Sequence, residues 1–228
     1  MKMVIIFSGS GMSAESGIST FRDSGGLWKQ YRIEDVATPE AWKRDPAMVQ
    51  EFYNLRRKQI IECQPNQAHM LIAQLEEKYD VTVITQNIDD LHERAGSTNV
   101  LHLHGNIRLS KSSGPNAEKA YYPIAGWELK TTDLCPEGYS LRPHVVWFGE
   151  EVPMYEVAMQ CIAEADIFIV IGTSLQVYPA AGLIHYAINA ETRYLIDPNA
   201  NELNVPNSFR ILPMNAVGGM TEILQVLG

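Results

Sequence analysis

The sequence predicts an α/β fold in which a doubly wound parallel sheet of about six strands carries a small inserted module. Short β-branched runs alternate along the chain with longer amphipathic segments, as they do in such sheets. One run, Ile167–Ile171, is apolar throughout, which is typical of a parallel strand covered on both faces. The first run ends in a Gly-rich turn. Together these features indicate a Rossmann-like domain.

The individual elements follow from the same patterns. The predicted strands are Met3–Ser8, Val81–Thr85, Val100–His104, Ile167–Ile171, Tyr194–Ile196 and Arg210–Leu212. A helix should open at the first Gly-rich turn, since that turn follows a strand directly. The other predicted helices are Pro39–Glu62, broken near Asp45-Pro46, and Gln67–Lys78, Pro153–Ala165, Pro179–Ala190 and Gly219–Leu227.

One region, residues 107–141, has no clear period and is rich in Ser, Gly, Pro, Lys and Tyr. It predicts a small module inserted into a main domain formed by residues 1–106 and 142–228. Four of its aromatic residues are expected to hold it by packing on the main domain; these are Tyr121, Tyr122, Trp127 and Tyr139.

The amino-acid composition limits the partners and the cellular compartment that fit this chain. Eighteen basic residues against 27 acidic ones give a formal net charge of -9, which opposes non-specific binding to nucleic acid or anionic membranes. Three scattered cysteines without a CxxC pair suit a reducing compartment. No apolar run approaches the roughly 18 residues of a membrane span, and the N-terminus does not resemble a signal peptide. We therefore expect a cytoplasmic protein without nucleic-acid or membrane partners.

The turn after the first strand has the pattern GxGxxA, with Gly9, Ser10, Gly11 and Ala14. The first Gly permits a tight turn, the second lets the backbone approach a pyrophosphate, and the small Ala14 allows close helix–sheet packing. Such turns also occur simply to reverse the chain. No clear acidic partner for a ribose follows, so a hydride-transfer enzyme is poorly supported.

The turn continues through Phe21-Arg22 as GSGMSAESGISTFR, which resembles the sirtuin signature GAGxSAxSGIPTFR. Four further motifs follow in the family's order. They are Thr85-Gln86-Asn87-Ile88-Asp89, Leu103-His104-Gly105-Asn106, Arg142-Pro143-His144-Val145-Val146-Trp147-Phe148-Gly149-Glu150 and Gly172-Thr173-Ser174. The resemblance covers nearly the whole chain. It implies an NAD-dependent protein lysine deacylase that consumes NAD and acts on acylated lysine side chains.

The resemblance also implies which residues bind NAD. The phosphates and the loop over the ribose would contact Gly9, Ser10, Gly11, Ala14, Phe21 and Arg22. The nicotinamide pocket would be lined by Gln86, Asn87 and Asp89, and the adenosine half would meet Gly172, Thr173, Ser174, Asn199 and Ala216. Asn87 and Asp89 have an alternative role, since Asx residues often cap a following helix.

His104 is the expected general base, with Asn87 beside it in the catalytic site. An imidazole titrates near neutrality, so it can accept a proton from a ribose hydroxyl. The alternative is an ordinary histidine at a strand end. By resemblance, the backbone of Val146, Gly149 and Glu150 would pair with the substrate peptide. Phe148 would line the acyl-lysine tunnel, although it fits a plain core position as well.

Tyr53 and Arg56 lie three residues apart in a helical segment, so both project from one face. A phenol and a guanidinium there suit a carboxylate. The sirtuin subgroup that removes succinyl and malonyl groups carries this Tyr-x-x-Arg pair, which implies acidic acyl substrates with weaker deacetylation. The alternative is an ordinary amphipathic helix with Arg56 paired to Glu51 or solvated.

The chain departs from the family in its cysteines. Most sirtuins hold a structural zinc with four cysteines in this module, whereas residues 107–141 contain Cys135 alone. A tetrahedral zinc site needs four N or S ligands, so structural zinc is predicted to be absent. Two other functions stay open: mono-ADP-ribosyl transfer, which needs the same pocket, and an NAD or ADP-ribose binding module that has lost catalysis.

Overall fold

The computed structural model describes residues 1–19 and 31–227. Its main layer is a six-stranded parallel sheet in the order β3-β2-β1-β7-β8-β9. These strands are β1 (Met3–Ser8), β2 (Asp80–Thr85), β3 (Val100–His102), β7 (Ile167–Ile171), β8 (Thr192–Ile196) and β9 (Phe209–Leu212). All six predicted strands are present, which confirms the doubly wound sheet. Its strand order reverses between β1 and β7.

Side chains of β1 alternate between two apolar cores. Val4 and Ile6 belong to the core on one face of the sheet, and Ile5 and Phe7 to the core on the other. All four are fully buried. This alternation is the period-two consequence of strand geometry, and it explains why the run is apolar throughout.

The helices cover both faces and one end of the sheet. They are α1 (Ile33–Val36), α2 (Pro39–Arg44), α3 (Pro46–Glu62), α4 (Gln67–Leu75), α5 (Leu91–Ala95), α6 (Tyr155–Ala163) and α7 (Ala216–Leu227). The predicted break between α2 and α3 is confirmed. Asp45 ends α2 and accepts a hydrogen bond from the Met48 N–H, while Pro46 occupies the first position of α3, where its missing donor costs nothing.

Two predicted helices are 3₁₀ helices instead. The segment after the Gly-rich turn is a 3₁₀ helix over Ser10–Ser16, and the segment predicted as Pro179–Ala190 is one over Ala180–Tyr186. A 3₁₀ helix has three residues per turn rather than 3.6. The residues that face the sheet therefore differ from those that an α-helix would present.

The inserted region forms an antiparallel sheet in the order β5-β4-β6. These strands are β4 (Gly105–Ser112), β5 (Tyr121–Pro123) and β6 (Leu141–Val145). Since β4 and β6 cross both predicted boundaries, the division at residues 107 and 141 stays a prediction. A small core lies beneath them, formed by Ile124, Leu129, Cys135 and Leu141.

The predicted packing of aromatic residues on the main domain holds for two of the four. The Tyr121 ring stacks on His144 with the ring centroids 3.9 Å apart, and Lys58 Nζ of α3 lies 5.6 Å from the centroid of the Trp127 ring. The prediction is wrong for Tyr122, which packs against the region's own small core, and Tyr139 is 45% exposed. Over the described ranges, 1–19 and 31–227, none of the helices has both the length and the apolar character to cross a membrane.

Candidate functional site

Two glycine turns meet at the carboxyl ends of β1 and β7, where the strand order reverses. The Gly9 N–H donates to the Ile171 carbonyl at 3.0 Å, and the Gly11 N–H donates to the Gly172 carbonyl at 2.8 Å. A Cβ atom on Gly11 would lie 2.8 Å from the Gly172 Cα. Only glycine permits this approach, and open parallel sheets bind ligands at such a switch point.

The predicted role of Ala14 in close packing is wrong. Ala14 is exposed, while Met12 and Ser13 are buried beneath the turn. The 3₁₀ geometry turns Met12 toward the sheet, and the close contact is made by Gly11 against Gly172. Ser10 is exposed beside them, so backbone and small polar groups line this edge.

Replacing Gly172 with Ala is expected to destabilise this contact. Gly172 has a φ of +61°, and a Cβ there would lie 2.2 Å from the Met12 nitrogen. The left-handed conformation alone costs about 1–2 kcal/mol for a residue with a Cβ. Gly126→Ala is the matched control, because Gly126 has a φ of +72° with nothing within 4 Å. Thermal unfolding should show a clearly larger loss for Gly172→Ala; equal losses would contradict the close approach.

Behind the first turn, three polar side chains form a buried cluster. The Asn87 amide nitrogen donates to the Gly9 carbonyl at 3.0 Å and to the Ser13 hydroxyl at 3.2 Å. The Ser13 hydroxyl donates to Asp89 at 2.9 Å. Burial raises the pKa of Asp89, and the hydrogen bond from Ser13 opposes that rise. Asp89 also accepts from the Leu91 N–H at 3.2 Å, so its alternative role at the start of α5 is present too.

Gln86 connects the two sides of the crevice. Its side-chain amide donates to the Thr173 hydroxyl at 3.1 Å, and its backbone carbonyl lies 2.9 Å from His104 Nδ1. A carbonyl oxygen only accepts, so Nδ1 of His104 carries the hydrogen and Nε2 carries the lone pair. Burial lowers the pKa of His104. The neutral, basic form of this half-buried imidazole therefore persists below its ordinary titration range.

Further polar residues, which the sequence did not single out, support this cluster. His102 contacts the Asn87 carbonyl through Nδ1 at 3.1 Å and Glu93 through Nε2 at 2.7 Å. Burial lowers the pKa of His102, but the hydrogen bond and charge of Glu93 outweigh burial, and the net pKa is raised. Ser13 belongs to the same group. Its position inside the Gly-rich motif was the only signal that could have found it.

Tyr53 and Arg56 lie on α3, which shares a buried core cluster with Ile18, just after the 3₁₀ helix that follows the Gly-rich turn. Tyr53 is 2% exposed, and its oxygen accepts a hydrogen bond from Trp147 Nε1 at 3.1 Å. Arg56 is half-buried, with its guanidinium 5.9 Å from the centroid of the Phe52 ring. The pKa of Arg56 is lowered by burial and raised by Tyr53 and Asp89. Tyr53 is therefore part of a buried apolar cluster beside Trp147, and Arg56 is close enough to Asp89 for that carboxylate to affect its pKa.

The segment from Val146 to Glu150 forms one rim of the site. The Val146 N–H donates to the His104 carbonyl at 2.9 Å, and the Glu150 N–H donates to the Trp147 carbonyl at 3.0 Å. For these two residues only the carbonyl groups remain for a peptide. Phe148 is 45% exposed, which rules out the plain core alternative, and Gly149 has a φ of +90°.

The remaining predicted binding residues differ in burial and position. Asn199 is exposed, and Ala216 is buried at the first position of α7; both follow strands at the same carboxyl edge. Ser174 is half-buried after β7. Phe21 and Arg22 lie outside the described residues.

Comparison with known proteins identifies the family. The profile of the Sir2 family matches residues 9–179. This chain belongs to the Sir2 family. A protein of Bacteroides thetaiotaomicron named NAD-dependent protein deacylase is 51% identical, covering 100% of this chain and 98% of its own. The proteins of that name from Helicobacter pylori J99 and Escherichia coli K12 are 47% and 46% identical, covering 100% and 90% of this chain and 96% and 75% of theirs.

Solved sirtuin structures share the fold. A complex of a Sir2 homologue mutant with ADP-ribose has a TM-score of 0.89 at 37% identity, covering 99% of this chain and 92% of its own. A Sir2 homologue–NAD complex has a TM-score of 0.87 at 36% identity, covering 99% and 89%. The predictions of a sirtuin, of its fold and of its enzyme class, NAD-dependent protein deacylase, are confirmed.

Proposed function

We propose that this sirtuin removes succinyl and malonyl groups from lysine side chains of proteins, with deacetylation as a weaker activity. The observation that supports the acidic preference is the closeness of a buried phenol, Tyr53, to a half-buried guanidinium, Arg56, each of which affects the pKa of the other. The deacylase names of the relatives carry no acyl preference, and a sirtuin structure with an acetylated peptide has a TM-score of 0.80 at 28% identity.

The crevice suits NAD. The closely packed Gly9, Gly11 and Gly172 leave no side chain at the switch point, so a pyrophosphate could lie against the backbone there. Asn87 and Asp89, held by Ser13, would orient the carboxamide of nicotinamide, and Thr173, Ser174, Asn199 and Ala216 would surround the adenosine half. Bound NAD supplies the ADP-ribose group that receives the acyl group as nicotinamide leaves.

His104 would act as the general base. Its Nδ1–H is held by the Gln86 carbonyl, which leaves the Nε2 lone pair to accept a proton from a ribose hydroxyl. Because burial lowers the pKa of His104, the imidazole is neutral and able to accept that proton at neutral pH. This arrangement gives the residue a defined tautomer before substrate binds.

The acyl pocket would recognise a carboxylate through two donors. Trp147 already donates to the Tyr53 oxygen, so the Tyr53 hydroxyl hydrogen is left to donate. Burial raises the pKa of Tyr53 to about 12, which keeps that hydrogen in place. The Arg56 guanidinium stays charged at neutral pH. One neutral and one charged donor match a succinyl or malonyl carboxylate better than an acetyl methyl group.

The proposed reaction is tested by incubating the protein with NAD and a succinyl-lysine peptide and following every product by mass spectrometry. Nicotinamide, free-lysine peptide and O-succinyl-ADP-ribose should form in equal amounts. ADP-ribose attached to protein, with the succinyl group retained, would instead indicate mono-ADP-ribosyl transfer. Bound NAD without nicotinamide release would indicate a binding module.

We also propose that the chain folds and works without structural zinc. Cys135 is the single cysteine of residues 107–141, and its sulfur lies 3.4 Å from the Ser112 oxygen, a poor zinc ligand. In the part of the chain that the structure describes, no three His, Cys, Asp or Glu residues group around a possible metal position. The residues present therefore do not fit a tetrahedral zinc site.

Chelator treatment is expected to change neither the melting temperature nor the deacylase rate, because no metal bond is available to break. Metal analysis of the purified protein should find far less than one zinc per chain. Stoichiometric zinc, or unfolding in the chelator, would contradict the proposal. A sirtuin with the four family cysteines is the appropriate positive control, since structural zinc contributes directly to folding.

A further inference from the structure

A second stripe of α3 faces the inserted region. Gln50, Asn54 and Arg57 are spaced by four and three residues, which places them on one side of the helix. All three are buried, at 2%, 9% and 0% exposure. Tyr53 and Arg56 precede Asn54 and Arg57 by one residue each, so they form the neighbouring stripe at about 100°.

The three side chains of this stripe hydrogen-bond to backbone of the inserted region. Arg57 donates through Nε to the Ile107 carbonyl at 2.6 Å and through Nη1 to the Trp127 carbonyl at 2.8 Å. Asn54 donates to the Leu129 carbonyl and accepts from the Leu129 N–H, both at 3.0 Å.

Two residues of this stripe also hydrogen-bond to each other. Arg57 Nη1 also donates to Asn54 Oδ1 at 2.7 Å, and Gln50 donates to the Leu141 carbonyl at 3.3 Å. The stripe therefore touches both ends of the inserted region and its middle.

The charge of Arg57 makes this arrangement costly. Burial, together with the nearby cation Arg108, lowers the pKa of Arg57 to about 10. Among residues 1–19 and 31–227, no carboxylate forms an ion pair with Arg57. A buried cation held only by carbonyl and amide oxygens is expensive, but its hydrogen bonds also satisfy the carbonyls of Ile107 and Trp127. Helix packing alone does not account for an arginine at this position.

We propose that Arg57 and Asn54 are positioning residues for acyl recognition: by fixing α3 on the backbone of the inserted region, they set where Tyr53 and Arg56 stand in the acyl pocket. The proposal rests on the acidic-acyl function proposed above. Because α3 is a continuous helix of 17 residues, a shift of one stripe moves the other. The donors that meet a carboxylate must be placed closely, and a displacement near 1 Å can cost up to about 100-fold in rate.

The test measures kcat/KM for matched succinyl and acetyl peptides in Arg57→Met, Arg57→Lys and Asn54→Ala. The succinyl-to-acetyl ratio should fall about tenfold in Arg57→Met, partly recover in Arg57→Lys, and fall less in Asn54→Ala. A ratio does not depend on the fraction of folded protein. Arg210→Met, an exposed arginine on β9, is the control and should keep the ratio of the unmodified protein.

Adding Arg57→Met to a variant that lacks both acyl-pocket donors, Y53F/R56M, separates positioning from general damage. If Arg57 acts through Tyr53 and Arg56, the ratio in the triple variant should equal that of Y53F/R56M, a fully non-additive combination. Equal losses on both peptides in Arg57→Met and Asn54→Ala, with an unchanged ratio, would overturn the positioning role and leave the proposed function intact. An unmodified protein without succinyl preference would overturn the proposed function first, and this inference with it.

Discussion

Replacement of His104 with Ala should lower kcat for deacylation by about 100-fold to 10,000-fold, the usual contribution of a positioned general base. The side chain reaches the crevice from the end of β3, and its Nδ1 is held by the Gln86 carbonyl. Steady-state kinetics on a succinyl peptide measures the loss. In the unmodified protein, kcat/KM should rise with pH through a midpoint below 6.5, because burial lowers the pKa of His104 and only the neutral form accepts a proton.

The control for this variant is His185→Ala, which removes an exposed histidine from the 3₁₀ helix over Ala180–Tyr186. It should keep full activity. NAD affinity of His104→Ala, measured by calorimetry, should stay close to that of the unmodified protein. A variant that loses NAD binding together with activity would show that His104 supports the pocket instead of accepting the proton.

Replacement of Arg56 with Met should lower kcat/KM for the succinyl peptide by about 10-fold to 100-fold, the equivalent of a hydrogen bond to a charged group. Deacetylation should be similar or faster. An acetyl group has no carboxylate that could lose its partner, and the apolar methionine side chain can contact the methyl of the acetyl group. Peptides that differ only in the acyl group, compared by mass spectrometry, give the two rates.

Tyr53→Phe provides a second variant at the same pocket. It removes one neutral donor, so its succinyl loss should be smaller than that of Arg56→Met. It also leaves Trp147 Nε1 without the partner that it has at 3.1 Å, so some stability should be lost as well. Equal losses on both acyl groups in Arg56→Met would refute the acidic preference.

The fold was predictable because its signals are local. Every strand of the parallel sheet is a short segment with at least one β-branched residue, and the break at Asp45-Pro46 is marked by a cap and a proline. The turn at Gly9 to Gly11 was visible for the same reason, since glycine is required where two backbones touch. Strands, helix caps and tight turns each require particular residue types, so they can be identified from the sequence.

Features that depend on tertiary contacts were not predictable. Nothing in the pattern of Ser10–Ser16 distinguishes a 3₁₀ helix from an α-helix, so Ala14 was assigned to a contact that Gly11 makes. Arg57 stands beside Arg56 in the sequence, yet Arg57 donates to backbone of the inserted region while the Arg56 guanidinium lies near the Phe52 ring. Partners such as the Ile107 and Trp127 carbonyls are backbone atoms up to 70 residues away, and they carry no sequence signal.

The most direct test of the central claim is the ratio of kcat/KM values for succinyl-lysine and acetyl-lysine forms of one peptide, measured with NAD on the unmodified protein. If Tyr53 and Arg56 recognise the acyl carboxylate, the ratio of the succinyl to the acetyl kcat/KM should be well above one, with O-succinyl-ADP-ribose as the product. A ratio at or below one, with NAD consumed normally, would contradict recognition by Tyr53 and Arg56 and leave a sirtuin that prefers neutral acyl groups.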